Sequence, residues 1–165
     1  MANHAVNLGA PQVVLLGAAT RAKEARQVGC SGFVDYKAAD AKEQALALSP
    51  EGFDIVIDVI GTPATAPLAL SCVANRGTIG IYGLDDIDAI TLSPSLARGK
   101  TFTVYQGGYD EGETHEQVGA FVKAGQLDAS VWIDKSKAFP LDDIQKAFDA
   151  VQARTLVKPL IRIGE

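Results

Sequence analysis

Glycine closes four apolar runs of the chain, and this placement is the first feature that could support chemistry. The positions are Gly17, Ile60-Gly61, Gly83-Leu84 and Gln106-Gly107. Because glycine has no side chain, a ligand can come close to the backbone where a buried strand ends in one. Glycine also serves plain turn geometry at such points. The pattern therefore predicts either a ligand crevice along one edge of a sheet or a row of ordinary turns.

Two sets of acidic residues are further candidates for chemistry, the pair Asp54 and Asp58 and the acids around His115. Asp54 and Asp58 are four residues apart on an apolar run, so they share a strand face and could do acid–base work; a structural role is favoured. Carboxylates that could bind zinc surround His115, namely Asp110, Glu111, Glu113 and Glu116. Thr114 and Gln117 have capping-box spacing, so a solvated helix start is favoured there. With no Ser/His/Asp or Cys/His pattern either, we assign no catalytic and no metal-binding residue.

Composition and charge exclude several functions. The 165 residues carry a net charge of −5 and form no Lys/Arg run, which argues against nucleic acid and against an anionic membrane surface. No apolar run approaches the roughly 18 residues of a membrane-spanning helix. Cys30 and Cys72 lack a Cys-x-x-Cys partner, which argues against a zinc ribbon or a disulfide framework. Two reduced thiols are typical of a cytoplasmic protein.

Apolar runs alternate with helical patterns along the chain. Strands are predicted at residues 12–16, 33–36, 53–60, 78–82, 101–105, 131–133 and 157–163. Helices are predicted after Thr20, at residues 38–48, from Thr62-Pro63 to about Ala74 with a break at Arg76-Gly77, after Ser93-Pro94, from Thr114, and around residues 144–151. Such alternation indicates an α/β fold with a mostly parallel sheet and helices on both faces. Ligands of such sheets lie outside the carboxyl ends of the strands, where the four glycine positions converge.

Four segments resemble the medium-chain dehydrogenase/reductase family, which includes zinc alcohol dehydrogenases and quinone and enoyl reductases. Residues 28–37 (VGCSGFVDYK) are similar to its "LGAD-x-VINYK", residues 53–61 (FDIVIDVIG) to "xDVVIDxVG", residues 76–83 (RGTIGIYG) to "GGRIVLVG", and residues 139–148 (FPLDDIQKAF) to "FPLEEAxxAF". Their order and spacing together cover nearly the whole chain. The resemblance implies the nucleotide-binding half of such an enzyme.

One family motif does not occur. Relatives carry a G-x-G-x-x-G phosphate turn between a first strand and a first helix, whereas residues 6–10 here look like the end of that helix. The resemblance therefore implies an incomplete Rossmann-type sheet, lacking the first strand and the glycine-rich turn. It also implies a partial NAD(P)-binding domain over residues 1–130. Residues 131–165 are a helix and strand that in relatives return to an N-terminal catalytic domain, and that domain carries the zinc ligands.

Strand order in this family places the first strand at the centre of the sheet. Without it, buried backbone groups would stay unpaired at about 1–3 kcal/mol each. We expect the chain to close the gap, to swap segments with another copy, or to pair with a separate piece. Residues 131–165 should pack on the remaining sheet or on another copy. The family also implies a homodimer joined at the edge strand, residues 101–105.

The resemblance assigns cofactor contacts at both ends of a nicotinamide nucleotide. At the adenosine end they are Gly17, Ala18, Arg21 and Tyr36; at the nicotinamide end they are Val59, Ile60, Gly61, Gly83, Leu84, Gln106 and Gly107. Arg21 and Tyr36 would hold a 2′-phosphate, and the second strand ends in Gly17 rather than an acid, so NADP is favoured over NAD. The alternatives are a solvated helix residue for Arg21 and a half-buried strand residue for Tyr36.

Two functions follow from these observations. The chain is either the NAD(P)-binding part of an oxidoreductase, binding the cofactor weakly if at all and not catalytic alone, or a non-catalytic remnant that serves as an oligomerisation or binding module. The strand-end glycines favour the first function. The absent phosphate turn favours the second. Neither the substrate nor the use of zinc by a parent enzyme follows from the sequence.

Overall fold

The computed structural model describes residues 1–104, 111–153 and 155–164, without the side chains of Glu111 and Lys135. The helices are α1 (Ala2–Asn7), α2 (Ala22–Gln27), α3 (Ala41–Leu48), α4 (Thr65–Ser71), α5 (Pro94–Ala97), α6 (Glu111–Lys123) and α7 (Ile144–Gln152). The strands are β1 (Val14–Gly17), β2 (Gly32–Asp35), β3 (Phe53–Asp58), β4 (Val73–Ile81), β5 (Thr101–Val104), β6 (Ile133–Pro140) and β7 (Lys158–Arg162). The predicted α/β fold with parallel strands is confirmed.

The chain divides into two compact units. One contains Met1–Val13, Lys23–Cys30 and Glu111–Glu165; the other contains Val14–Ala22 and Ser31–Asp110. The first unit holds α1, α6 and the parallel pair β6–β7 with α7. The second, here called the strand unit, holds β1 to β5 with α3, α4 and α5. The domain boundary expected at residue 131 stays a prediction.

The strand unit contains two parallel sheets, one with order β1–β2 and one with order β3–β4–β5. Leu15 is opposite Phe33 in the first sheet, and Val56 is opposite Ile79 in the second. Among the residues that the structure describes, β1 and β3 do not pair with each other. The first of the three expectations, that the chain closes the gap itself, is therefore not met in the described part of the chain.

Apolar helices cover one face of the larger sheet. Ala66 and Leu70 of α4 are fully buried against Ile79 and Ile81 of β4, and Leu96 of α5 packs on the same cluster. A second cluster of buried residues packs on the smaller sheet, namely Val34, Ala41, Ala45 and Cys72. Because Phe53 of β3 also packs on this second cluster, the cluster contacts both sheets.

The opposite face of β3 is apolar and exposed. Ile55 is 71% and Ile57 is 51% exposed, whereas Asp58 between the strand and its turn is buried. Alternate residues of a strand point to opposite faces, which explains this alternation. β3 therefore has one face in the core and one apolar face open among the described residues.

Several predictions about helix and strand boundaries are wrong. The strand predicted at residues 131–133 starts only at Ile133 and continues to Pro140 as β6. The helix expected to reach Ala74 ends at Ser71, and β4 runs through the predicted break at Arg76, which adopts a positive φ of 66°. The early start of β4 lets Val73 pair with Phe53, which local propensity does not reveal. The capping box at Thr114 is also wrong, since α6 begins at Glu111 and Thr114 lies inside it. Acidic residues suit the first turn of a helix, so the helix extends by three residues towards its N-terminus.

No helix in the described ranges is long and apolar enough to cross a membrane.

Candidate functional site

The carboxyl ends of β1 and β2 bring four predicted residues together. The Tyr36 backbone N–H donates to the carbonyl oxygen of Gly17 at 3.2 Å, so the two strands end in register. Ala18 is extended, and a single 3-10 turn follows it, closed by the Arg21 N–H donating to the Ala18 carbonyl at 2.8 Å. Arg21 and Tyr36 are both half-buried. A cation and a phenol thus lie on the two chain segments that leave adjacent strand ends.

Glycine at position 17 has a local packing reason. A Cβ atom added there would lie 3.2 Å from the ring of Phe33 on the neighbouring strand. That distance is tight, so a larger residue would displace the Phe33 ring. Gly17 is therefore explained by strand packing as well as by a ligand.

Lys37 is a neighbour that the sequence interpretation did not use. Its ammonium nitrogen lies 5.8 Å from the centre of the Tyr36 ring, within the range of a cation–π contact. The Lys37 backbone N–H donates to the Asp35 carboxylate at 3.1 Å, which fixes the turn that presents this lysine. The motif "NYK" contains the lysine, so the signal was available in the sequence. Lys37 therefore places a positive charge beside Tyr36.

The turns after β3 and β4 are joined backbone to backbone. The carbonyl oxygens of Ile60 and Gly61 accept from the N–H groups of Asp85 and Asp86 at 3.1 and 3.0 Å. The carbonyl oxygen of Asp58 accepts from the Tyr82 N–H at 2.8 Å and from the next N–H along the chain at 3.2 Å. Since carboxyl ends of parallel strands meet at one edge of a sheet, these bonds bring residues 59–61 close to Gly83 and Leu84.

Gly61 and Gly83 are required by this contact. A Cβ atom on Gly61 would overlap the carbonyl oxygen of Gly83, and a Cβ atom on Gly83 would overlap the backbone of Ile60. Gly61 also has a positive φ of 74°, which side chains disfavour. Turn packing thus accounts for both glycines without a ligand.

Exposed apolar side chains lie on these turns beside two exposed acids, Asp85 and Asp86. Val59 is 54% and Leu84 is 60% exposed, and Tyr82 is 49% exposed. Several backbone groups of the two turns are already bonded to one another. The joined turns therefore offer a ligand an apolar surface flanked by carboxylates, which suits a flat ring better than a phosphate.

Asp58 organises the first of these turns. Its carboxylate accepts from the N–H groups of Ile60 at 2.9 Å and Gly61 at 3.1 Å, and from the Thr65 hydroxyl at 2.8 Å. Asp54 is exposed, so the two acids do not form a buried pair. The favoured structural interpretation of Asp58 fits these bonds, because a buried carboxylate needs such donors.

Gln106 and Gly107, the last two predicted contacts, lie outside the described residues.

Zinc does not fit the residues that the structure describes. No group of three His, Cys, Asp or Glu side chains among them could hold a metal ion. His115 is exposed on α6, and Asp110 and the side chain of Glu111 lie outside the description. Burial raises the pKa of the Cys30 and Cys72 thiols, which keeps both neutral and weakly nucleophilic. We derive no step through zinc.

A nicotinamide nucleotide fits in part. Lys37 beside Tyr36 and Arg21 on the segment after β1 suit a phosphate on the adenosine ribose, and the joined turns suit a flat ring. For the pyrophosphate, the sequence contains no G-x-G-x-x-G turn. The residues present therefore match the two ends of such a cofactor but supply no recognised cradle for its middle.

Comparison with known proteins gives one family and one fold. The family model described as zinc-binding dehydrogenase matches residues 2–124. No match was found among the curated proteins. Benzyl alcohol dehydrogenase from Acinetobacter calcoaceticus superposes with a TM-score of 0.87 at 16% identity, covering 99% of this chain and 46% of that one.

Two further solved structures agree in fold. An alcohol dehydrogenase zinc-binding domain protein from Burkholderia ambifaria has a TM-score of 0.87 at 18% identity, with coverage of 99% of this chain and 45% of that chain. For 2R,3R-butanediol dehydrogenase from Bacillus subtilis the TM-score is 0.80 at 23% identity, with coverage of 98% and 46%. The chain spans about half the length of the solved structures it matches.

Proposed function

Since the chain belongs to the zinc-binding dehydrogenase family, we propose that it binds NADP(H) at the carboxyl ends of β1 to β4. The adenosine end lies against Gly17, Ala18, Arg21 and Tyr36, and the nicotinamide end lies against Val59, Ile60, Gly61, Gly83 and Leu84. The predicted contacts at Gln106 and Gly107 belong to the same proposal.

One observation carries the proposal. Two pairs of strand-end turns in one unit differ in chemistry. The first carries Arg21 after β1 and Lys37 beside Tyr36, whereas the second carries exposed apolar side chains, exposed carboxylates and no cation. A dinucleotide with a phosphorylated ribose at one end and a flat amide-bearing ring at the other matches this arrangement, since its anionic end would meet the cations and its ring would meet the apolar side chains. This match supports both the ligand class and its direction.

The cofactor supplies hydride chemistry when bound, and the chain supplies orientation. We propose that turnover requires a catalytic domain beyond these residues, so that the chain alone shows little or none. The proposal includes no zinc in this chain.

The direct test is a titration of the purified chain with NADPH and with NADH, followed by cofactor fluorescence. We expect saturable binding, tighter for NADPH. Arg21→Ala should weaken NADPH about tenfold and NADH little, because a charge-assisted bond to a phosphate contributes about 1.5–3 kcal/mol. Arg98→Ala, an exposed arginine after α5, is the matched control. Equal losses for both nucleotides would remove the assignment of Arg21 to the 2′-phosphate.

A second function is favoured by a specific observation, the apolar face of β3 that is open among the described residues. In this case the chain is a folded binding module without cofactor. No binding of either nucleotide at millimolar concentration would favour it.

A further inference from the structure

We propose that Asp58 is a positioning residue that locks the turn after β3 onto the turn after β4 and so holds the surface that receives the nicotinamide ring. The inference rests on the proposed function for its ligand. The claim that Asp58 holds the two turns together does not depend on any ligand, and it has its own test.

The side chain of Asp58 fixes the first turn from below. Asp58 is 5% exposed, and one carboxylate oxygen accepts from two successive N–H groups, those of Ile60 and Gly61. The other oxygen accepts from the hydroxyl of Thr65, the first residue of α4. Three donors on two segments converge on one buried carboxylate, so the turn and the start of α4 keep a fixed relation.

The backbone of the same residue reaches the second turn. The Asp58 carbonyl oxygen accepts from the N–H groups of Tyr82 and Gly83. With the Ile60 and Gly61 carbonyls bonded to the N–H groups that follow Leu84, the two turns form one backbone-bonded block. Asp58 therefore contacts both turns. Its side chain bonds to the first turn, and its main-chain carbonyl bonds to the second.

This arrangement decides what the block shows to a ligand. The bonds inside the block use the N–H groups of Ile60, Gly61, Asp85 and Asp86. The exposed apolar side chains of Val59 and Leu84 therefore form much of its outer surface, and their direction depends on the turn conformation. A ring that binds by shape and apolar contact is sensitive to small displacements of such walls. Releasing Asp58 should thus weaken the ring end of the ligand and spare the adenosine end.

Backbone hydrogen exchange tests the lock without any ligand. In Asp58→Ala we expect the amides of Ile60, Gly61, Asp85 and Asp86 to exchange about tenfold faster, while the Tyr36 amide at the end of β2 keeps its rate. Asp58→Asn retains one acceptor oxygen and should restore most of the protection. Asp54→Ala, an exposed acid on the same strand, is the control and should change none of these rates. If Asp58→Ala does not fold, Thr65→Val removes one of the three bonds and gives the same pattern at smaller size.

Ligand binding tests the positioning. NADPH is compared with 2′-phosphoadenosine diphosphoribose, which is the same molecule without nicotinamide. We expect Asp58→Ala to weaken NADPH about tenfold and the shortened ligand less than twofold. Equal weakening of both ligands, or unchanged exchange in the turns, would overturn the inference. If the unsubstituted chain binds neither ligand, the proposed function and the role at a nicotinamide fail together, and exchange still decides whether Asp58 locks the turns.

Discussion

At the scale of single residues, the site depends on what lies directly beneath it. Gly61 and Gly83 are needed because two backbones touch, and Asp58 is needed because the turn above it has donors to satisfy. The first requirement is steric and the second is hydrogen bonding, and both are structural. A ligand-binding surface is built on top of them.

The glycine requirement is testable by adding one methyl group. Gly61→Ala should lower the free energy of unfolding by about 3 kcal/mol or more, because the new Cβ overlaps a backbone carbonyl and φ is positive. Gly80→Ala is the matched control, since its Cβ would meet only the Thr103 methyl group at 3.9 Å. We expect the control to change stability by less than about 1 kcal/mol. Urea unfolding measures the free energy of unfolding of both variants. Similar losses in the two would contradict the close approach of the Gly61 and Gly83 backbones.

The Cys72 thiol gives a pH dependence of stability. Burial raises its pKa, and the Ser71 hydroxyl, Lys42 and Lys100 offset this only in part. An unfolded thiol therefore loses its proton at lower pH than the folded one, so stability falls as the pH rises above about 8.5. We expect unfolding free energies measured by urea at about pH 7.5 and about pH 9.5 to differ less in Cys72→Ala than in the unsubstituted chain. The same drop in both proteins would assign the effect to other groups.

At the scale of elements, β3 and β4 form the frame of the site. β4 is buried along alternate residues, with Ile79 and Ile81 fully enclosed, whereas β3 buries one face only. Their parallel register sets the two strand ends side by side. The frame is therefore rigid on the side of α4 and α5 and open at the outer face of β3.

This asymmetry predicts unequal responses to substitution. Ile55→Lys should change the free energy of unfolding by less than about 0.5 kcal/mol, because Ile55 is 71% exposed. Ile79→Ala should cost about 2–5 kcal/mol, because it leaves a cavity beneath the helices. Chemical denaturation of both variants measures the difference. A large cost for Ile55→Lys would mean that something covers this face in solution.

At the scale of the whole molecule, the edges of the larger sheet determine where a second copy can pair. Among the described residues, the larger sheet has β3 at one edge and β5 at the other, and edge strands invite pairing with another chain. The family resemblance predicts a homodimer through β5. The apolar outer face of β3 offers a competing contact.

Sedimentation of paired variants separates these two interfaces. We expect the chain to form dimers, and Thr103→Lys on β5 to weaken them by about tenfold, because a lysine on an edge strand opposes pairing. Ile57→Lys on β3 should leave the dimer intact. The reverse result would place the interface on β3, and a monomer independent of concentration would refute the dimer altogether.

The sequence alone predicts the elements and the family. Apolar runs closed by glycine and separated by helical patterns identify β1 to β5, because strand burial and turn geometry are local properties of the chain. The four family-like segments identify the nucleotide-binding half for the same reason, since each motif is a short contiguous piece. The clustering of Gly17, Arg21 and Tyr36, and of Val59 to Gly61 with Gly83, also follows from strand order.

Only the tertiary structure decides the rest. The early start of β4 depends on Val73 meeting Phe53, and the start of α6 at Glu111 overrides a plausible cap at Thr114. The role of Asp58 depends on donors that come from a turn and a helix, and the need for Gly61 depends on Gly83, more than 20 residues away. The division into separate sheets likewise depends on which strands are close enough to bond. Contacts between segments that are distant in sequence determine all of these features. A residue pattern along the chain reports only local preferences, so it does not reveal such contacts.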